Sequence, residues 1–183
     1  MMKPVFALAA LALCIQPVYA ADTASTALAT KLEGVYKYRF QNGMYDANKT
    51  VKYESEDVVE IVAVDDTHVY VRADLQFFNG HECGISGIAN FENGAFVYHS
   101  KEPGLPGEAA CTLTVSTVQD KLHLSDRLTP DGPATCSSMC GARGSLSDYS
   151  IPLAKRKPIR YLPRLKASRE YAAALKEAAI AQP

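Results

Sequence analysis

Residues 69–77 have the sequence VYVRADLQF, in which apolar side chains recur at every second position. Val71 and Leu75 belong to the apolar set, and the polar residues Arg72 and Asp74 lie between them. Successive side chains of an extended backbone point to opposite faces, so one face of this segment can be buried while the other contacts water. The segment therefore predicts a half-buried β-strand, around which the rest of the fold can be placed.

The sequence on both sides of this strand repeats the same pattern. Residues 58–64 precede it across a short polar turn, and residues 83–91 form a second alternating set after it. Asn93-Gly94 follows and is a strong hairpin signal, because both residues tolerate a positive φ. We therefore expect Phe91 and Phe96 to face each other across that turn.

Further short alternating stretches complete the sheet, at residues 34–40, 50–54, 111–117, 122–124 and 144–151. Many short antiparallel strands joined by tight turns favour a barrel or a sandwich. Closing the sheet also removes the exposed edges that promote aggregation. We therefore predict a mainly β fold, a small antiparallel β-barrel of about eight strands.

The two ends of the chain differ from the barrel. Residues 1–20 combine a basic start, an apolar run and small residues before Ala20, which is the pattern of a secretory signal peptide cleaved after that residue. The apolar run is shorter than the ~20 residues of a membrane-spanning helix, so we predict no transmembrane segment and a periplasmic or secreted location. Residues 21–153 then form the barrel domain. Residues 154–183 form a basic segment with a C-terminal helix near 163–180.

Four cysteines outside the signal peptide predict disulfides. Cys83, Cys111, Cys136 and Cys140 are an even set in an exported chain. Their spacings lack the two short Cys-x-x-Cys pairs typical of a structural zinc site, so we expect no metal and no cofactor. The order of the hairpins favours the pairs Cys83–Cys111 and Cys136–Cys140. Cys14 leaves a lipoprotein as an alternative, which the bulky residue before it disfavours.

Charge is distributed unevenly along the chain. Residues 21–153 contain 18 acidic and 10 basic side chains, whereas residues 154–183 contain 8 basic side chains against Glu170 and Glu177. The basic segment can lie across the protein's own acidic body or contact an anionic envelope surface. Because the chain is exported, we expect no nucleic-acid partner.

No catalytic motif is present in the sequence. It contains no G-x-S-x-G elbow, no P-loop and no Rossmann glycine set. The histidines are too far apart to form an H-x-x-x-H metal pair, and they are His68, His81, His99 and His123. We therefore expect a binding protein and not an enzyme.

Ser86-Gly87 is followed by Tyr98 and Lys101, and this spacing resembles the motif of the periplasmic inhibitors of c-type lysozyme. The members of that family are small disulfide-containing β-barrels. The resemblance covers residues 86–102 and is partial, because His99 stands where the family often has Trp. It implies that Ser86, Tyr98 and Lys101 belong to an inhibitory hairpin, and that the partner is a lysozyme-like cell-wall hydrolase.

Other functions remain open at this point. The acidic body complements the basic charge of wall hydrolases, which also fits a toxin-immunity protein. The main alternative is a lipocalin-like barrel that binds a small apolar ligand, suggested by Gly34-Val35-Tyr36. Bulky inward positions such as Leu75 and Leu113 favour a packed interior instead. The third possibility is a structural protein of the envelope. The oligomeric state does not follow from the sequence.

Overall fold

The computed structural model describes residues 18–104 and 106–180, and nine antiparallel strands dominate these ranges. The strands form one sheet in the order β8-β7-β6-β5-β4-β3-β2-β1-β9, a meander that curls into a nearly closed barrel. The predicted mainly β barrel is therefore confirmed. The strands are β1 (Gly34–Asp46), β2 (Lys49–Ala63), β3 (His68–Gln76), β4 (Glu82–Glu92), β5 (Ala95–His99), β6 (Thr112–Val118), β7 (Lys121–Ser125), β8 (Tyr149–Pro152) and β9 (Arg156–Lys157).

The chain itself runs from one edge of the sheet to the other. β8 pairs with β7 at one edge, and a 3-10 helix at Leu153–Lys155 leads to β9, which pairs with β1 at the opposite edge. The Tyr149 hydroxyl of β8 also donates to the Asp57 carboxylate of β2 at 3.0 Å. This bond links the two edge regions of the barrel.

β1 and β2 form a longer hairpin than the sequence predicts. Residues 50–54 and 58–64 were expected to be separate strands, but the structure has one 15-residue strand that pairs with all 13 residues of β1. The polar residues between them stay extended because each has a partner on β1, and Glu56 forms ion pairs with Lys37 and Arg39. β3 pairs with β2 only from Val58 onward. Residues 38–57 therefore extend past the barrel wall and are named the projecting hairpin.

Large apolar side chains fill the barrel. Side chains from every part of the meander lie below 2% exposure, and they include Tyr36, Ile61, Leu75, Phe96, Leu113, Leu122, Leu124 and Ile151. The Phe91 and Phe96 rings contact each other with centroids 5.5 Å apart, as the Asn93-Gly94 turn predicts.

A helix that the sequence analysis did not predict, α1 (Val18–Leu32), closes one end of the barrel. Ala29 and Leu32 join the barrel core, and the Tyr36 hydroxyl donates to the Leu32 carbonyl at 2.9 Å. The predicted signal peptide lies outside the described residues as far as residue 17. None of the helices in the described ranges has the length and apolar composition needed to cross a membrane.

The helix expected near 163–180 is present as two helices, α2 (Leu162–Lys166) and α3 (Arg169–Glu177). The break occurs because Ser168 adopts an extended backbone and its hydroxyl accepts the Tyr171 N–H at 3.1 Å, which caps α3. Both helices pack on the outer face of β2, β3 and β4. The apolar contact is made by Val62, Tyr70, Ile88, Leu165, Tyr171, Ala174 and Leu175.

The four cysteines of the described residues all form disulfides, but the predicted pairing is wrong. The bonds are Cys83–Cys140 and Cys111–Cys136. β5 lies between β4, which carries Cys83, and β6, which Cys111 precedes, so the two cysteines are at least two strand spacings, more than about 10 Å, apart. The connection between β7 and β8 passes over the end of the sheet and brings one cysteine to each of them.

Candidate functional site at the open end of the barrel

The residues of the predicted inhibitory hairpin lie in three different environments. Ser86 lies opposite Arg72 in the β3–β4 register and hydrogen-bonds to Tyr70 on the outer face of the sheet. Tyr98 lies on the inner face and is 5% exposed. Ser86 and Tyr98 are therefore on opposite sides of the sheet. Lys101 is exposed beyond the end of β5.

Tyr98 has a clear structural partner in Gly87. A Cβ atom added at Gly87 would lie 2.1 Å from the Tyr98 ring, so the ring occupies the space that a side chain would need. Burial raises the pKa of the Tyr98 hydroxyl, and its hydrogen bond to Ser100 opposes this shift. The glycine and the tyrosine of the motif thus have a packing role. Their part in inhibition stays a prediction.

Lys101 contacts the C-terminal helix. Its ammonium group donates to the Glu177 carbonyl, and its backbone N–H lies 3.4 Å from the Glu177 carboxylate. Lys101 therefore lies at the rim of the barrel end opposite to α1.

The connection between β7 and β8, residues 126–148, crosses this same end and is named the braced loop. Cys136 joins it to Cys111 before β6, and Cys140 joins it to Cys83 on β4. A connection of this length with little regular structure is usually either functional or disordered. Two disulfides tie this loop to β4 and to the start of β6, which argues against a disordered loop. The braced loop therefore presents a fixed surface.

Asp126 adds a polar network that joins the two ends of the braced loop. Its carboxylate is buried and accepts the Cys136 N–H at 3.0 Å and the Ser147 hydroxyl. The backbone carbonyl of Asp126 accepts the N–H and the hydroxyl of Thr135 at 3.0 and 2.8 Å. Buried polar groups stabilise a single conformation when every one has a partner, as it has here.

The projecting hairpin contacts the braced loop through Phe78. This residue follows β3 and covers Gly43, with 3.1 Å between its ring and the place of a Cβ at that glycine. The Arg143 guanidinium of the braced loop lies 5.6 Å from the centroid of the Phe78 ring. Asn79 accepts the Tyr45 N–H at 3.0 Å. The hairpin and the braced loop therefore form one continuous surface, named the open end.

Exposed apolar side chains concentrate at the open end. Of the seven large apolar side chains that are exposed in the described ranges, six lie there, and only Val118 lies at the closed end. The six are Tyr38, Met44, Tyr45, Val51, Phe78 and Leu128. Aromatic residues, Met and Arg are enriched at protein interfaces, and contiguous apolar exposure marks interaction sites. Sequence reasoning missed this surface because exposure depends on which strands extend beyond their neighbours.

A buried carboxylate supports the base of the projecting hairpin. Asp57 accepts the Gln76 N–H at 2.8 Å and the Tyr149 hydroxyl at 3.0 Å. Burial raises the pKa of Asp57 above 3.8, and these two hydrogen bonds oppose part of the shift. Burial and the nearby Asp57 charge also raise the pKa of Tyr149.

A serine, a histidine and an aspartate also lie close together, on β8, on β7 and at the end of the braced loop. His123 Nδ1 is 2.9 Å from the Ser150 hydroxyl, but His123 Nε2 is 3.8 Å from Asp148, which also pairs with Arg127. A nucleophile needs a base that a third group orients through a hydrogen bond, and 3.8 Å is too long for one. Both Ser150 and Asp148 are also exposed. This cluster therefore does not support nucleophilic catalysis.

Across the described residues, no group of three or more His, Cys, Asp or Glu side chains is placed to hold a metal ion. Comparison of the chain with protein-family models, with curated proteins and with solved structures found no match.

Proposed function

We propose that this protein is an exported binding protein that captures a protein partner at the open end, and that the partner is a lysozyme-like cell-wall hydrolase. The observation that carries the proposal is the concentration of exposed apolar side chains on the projecting hairpin and at Phe78, beside a loop that two disulfides hold in place. A surface that is already ordered loses little conformational entropy on binding, which favours affinity.

The charge of the barrel domain supports a basic partner. Residues 21–153 carry 18 acidic and 10 basic side chains, while the exposed charges of the open end itself are mixed, with Asp131 and Asp148 beside Arg39 and Arg143. Wall hydrolases act on an anionic polymer and are commonly basic, so the acidic domain attracts such a partner. The resemblance of residues 86–102 to the lysozyme inhibitors points to the same class of partner.

Lys101 is the residue best placed to extend binding into inhibition. It lies on the rim of the open end and is held by Glu177 at the end of α3. If Lys101 exchanges this contact for a catalytic carboxylate of the hydrolase, it forms a charge-assisted hydrogen bond in the cleft. Inhibition then follows from occupation of the catalytic site.

The alternative of a small apolar ligand inside the barrel has less support. Its inward positions are occupied by Tyr36, Leu75, Phe96 and Leu113, each buried below 2% exposure. A cleft of about 540 Å³ lies outside the barrel, between the end of α1 and the segment before α2. It is lined by cationic as well as apolar side chains. The packed interior therefore favours recognition by the outer surface.

An inhibition assay tests the proposal. The purified protein is added in micromolar excess to c-type lysozyme and to a panel of other muramidases, and wall lysis is followed. We expect at least one hydrolase to be inhibited, with inhibition weakened by added salt because opposite charges steer the encounter. Full activity of every hydrolase in the panel would rule out the proposed partner class.

A further inference from the structure

The basic C-terminal segment packs on the barrel mainly through its apolar side chains. Tyr171, Ala174 and Leu175 of α3 are buried against Tyr70 and Ile88 of the barrel. The Tyr70 and Tyr171 rings are in contact, with centroids 4.9 Å apart. The segment therefore lies across the protein's own body, and the contact is mainly apolar.

The two acidic residues of this segment point toward barrel cations. Glu177 contacts Lys101 through both its carbonyl and its carboxylate. Glu170 lines the same shallow clefts as Arg72, and the two opposite charges attract each other. Both carboxylates are thus used against the body, which leaves the outer side of the segment cationic.

The cations of the segment all face water. The eight basic side chains are exposed and follow one another from β9 to the end of α3, at Lys155, Arg156, Lys157, Arg160, Arg164, Lys166, Arg169 and Lys176. None of them forms an ion pair with a described carboxylate. Arg156 donates to the last carbonyls of α1, and Arg164 lies over the Tyr161 ring. The segment therefore carries an unneutralised positive side, which is named the cationic side.

We propose that the cationic side docks the protein on the anionic surface of a phospholipid membrane. The cations are spread over β9, both helices and the chain between them. An array of mobile headgroups can contact such a spread of exposed charges at the same time. The apolar side chains of α2 and α3 are buried on the barrel, so contact with the bilayer is electrostatic and peripheral, without insertion.

Vesicle sedimentation tests this proposal independently of the proposed function. The purified protein is mixed with phosphatidylcholine vesicles that contain or lack phosphatidylglycerol. One variant replaces Arg160, Lys166 and Arg169 by Gln. The matched control removes the same charge by replacing three exposed lysines elsewhere, Lys49, Lys52 and Lys121, by Gln. Circular dichroism checks that both variants keep their fold.

We expect binding only to the vesicles that contain phosphatidylglycerol, and loss of that binding at high salt. The R160Q/K166Q/R169Q variant should bind these vesicles at least about tenfold more weakly, because each surface cation contributes separately to the binding free energy. The control variant should bind like the unmodified protein. The proposal is overturned if neither vesicle binds, if both variants weaken equally, or if soluble polyphosphate or DNA is bound while vesicles are not.

Discussion

At the scale of single residues, the contact between Gly87 and Tyr98 makes a sharp prediction. Gly87→Ala would place a Cβ 2.1 Å from the Tyr98 ring, which is buried in the barrel core. Overpacking of this kind typically costs about 1 to 3 kcal/mol of the free energy of unfolding. Urea denaturation measures the loss. Gly84→Ala on the same strand is the control, because no atom lies within 4 Å of its added Cβ. Equal stability of the two variants would contradict the packing described.

The raised pKa of Asp57 predicts how the stability of the fold changes with pH. Its pKa is raised above 3.8 in the folded protein, so folding favours its neutral form. Its contribution to stability is therefore present below pH 3.8 and is lost as the pH rises through the folded pKa. Asp57→Asn should flatten the dependence of the melting temperature on pH in that window. The exposed Asp131→Asn is the control, and an unchanged pH profile in D57N would refute the assignment.

At the scale of the elements, the two disulfides determine whether the braced loop stays in place. Each bridge is expected to contribute about 2 to 4 kcal/mol, so a reducing agent should lower the melting temperature. Peptide mapping without reduction should recover Cys83 linked to Cys140 and Cys111 linked to Cys136. Recovery of a peptide that links Cys83 to Cys111 would contradict the path of the braced loop.

Local pattern was enough to place most strands and turns. Alternation predicts β3 from residues 69–77, and Asn93-Gly94 predicts the β4–β5 turn, because both depend only on neighbouring residues. The single long β2 was missed because its polar centre is stabilised by pairing along β1, which local pattern does not contain. The disulfide pairing was missed for a related reason, since it depends on where residues 126–148 cross the barrel. The break between α2 and α3 was missed because the helical pattern continues through Ser168, and only the structure shows that Ser168 caps a second helix.

At the scale of the whole molecule, the candidate site follows from the shape of the barrel. Three of its features come from different parts of the chain: the projecting hairpin, Phe78 after β3, and the braced loop. The sequence gives no periodic signal for such a surface, because it forms only when one hairpin extends past its neighbours. The motif around Lys101 was visible in the sequence, and the structure places that lysine on the rim of the same end. Ser86 and Tyr98, by contrast, lie on opposite faces of the sheet.

The most direct test of the open end is the inhibition constant of paired variants against a wall hydrolase that the unmodified protein inhibits. Tyr45 is 60% exposed at the open end and Val118 is 48% exposed at the closed end, so their replacement by Ser perturbs the fold little in either case. We expect Tyr45→Ser to weaken inhibition at least about tenfold, as loss of an interface aromatic commonly does, and Val118→Ser to leave it unchanged. Inhibition that is indifferent to Tyr45 but lost in the Val118 variant would contradict the account and place the binding surface at the closed end.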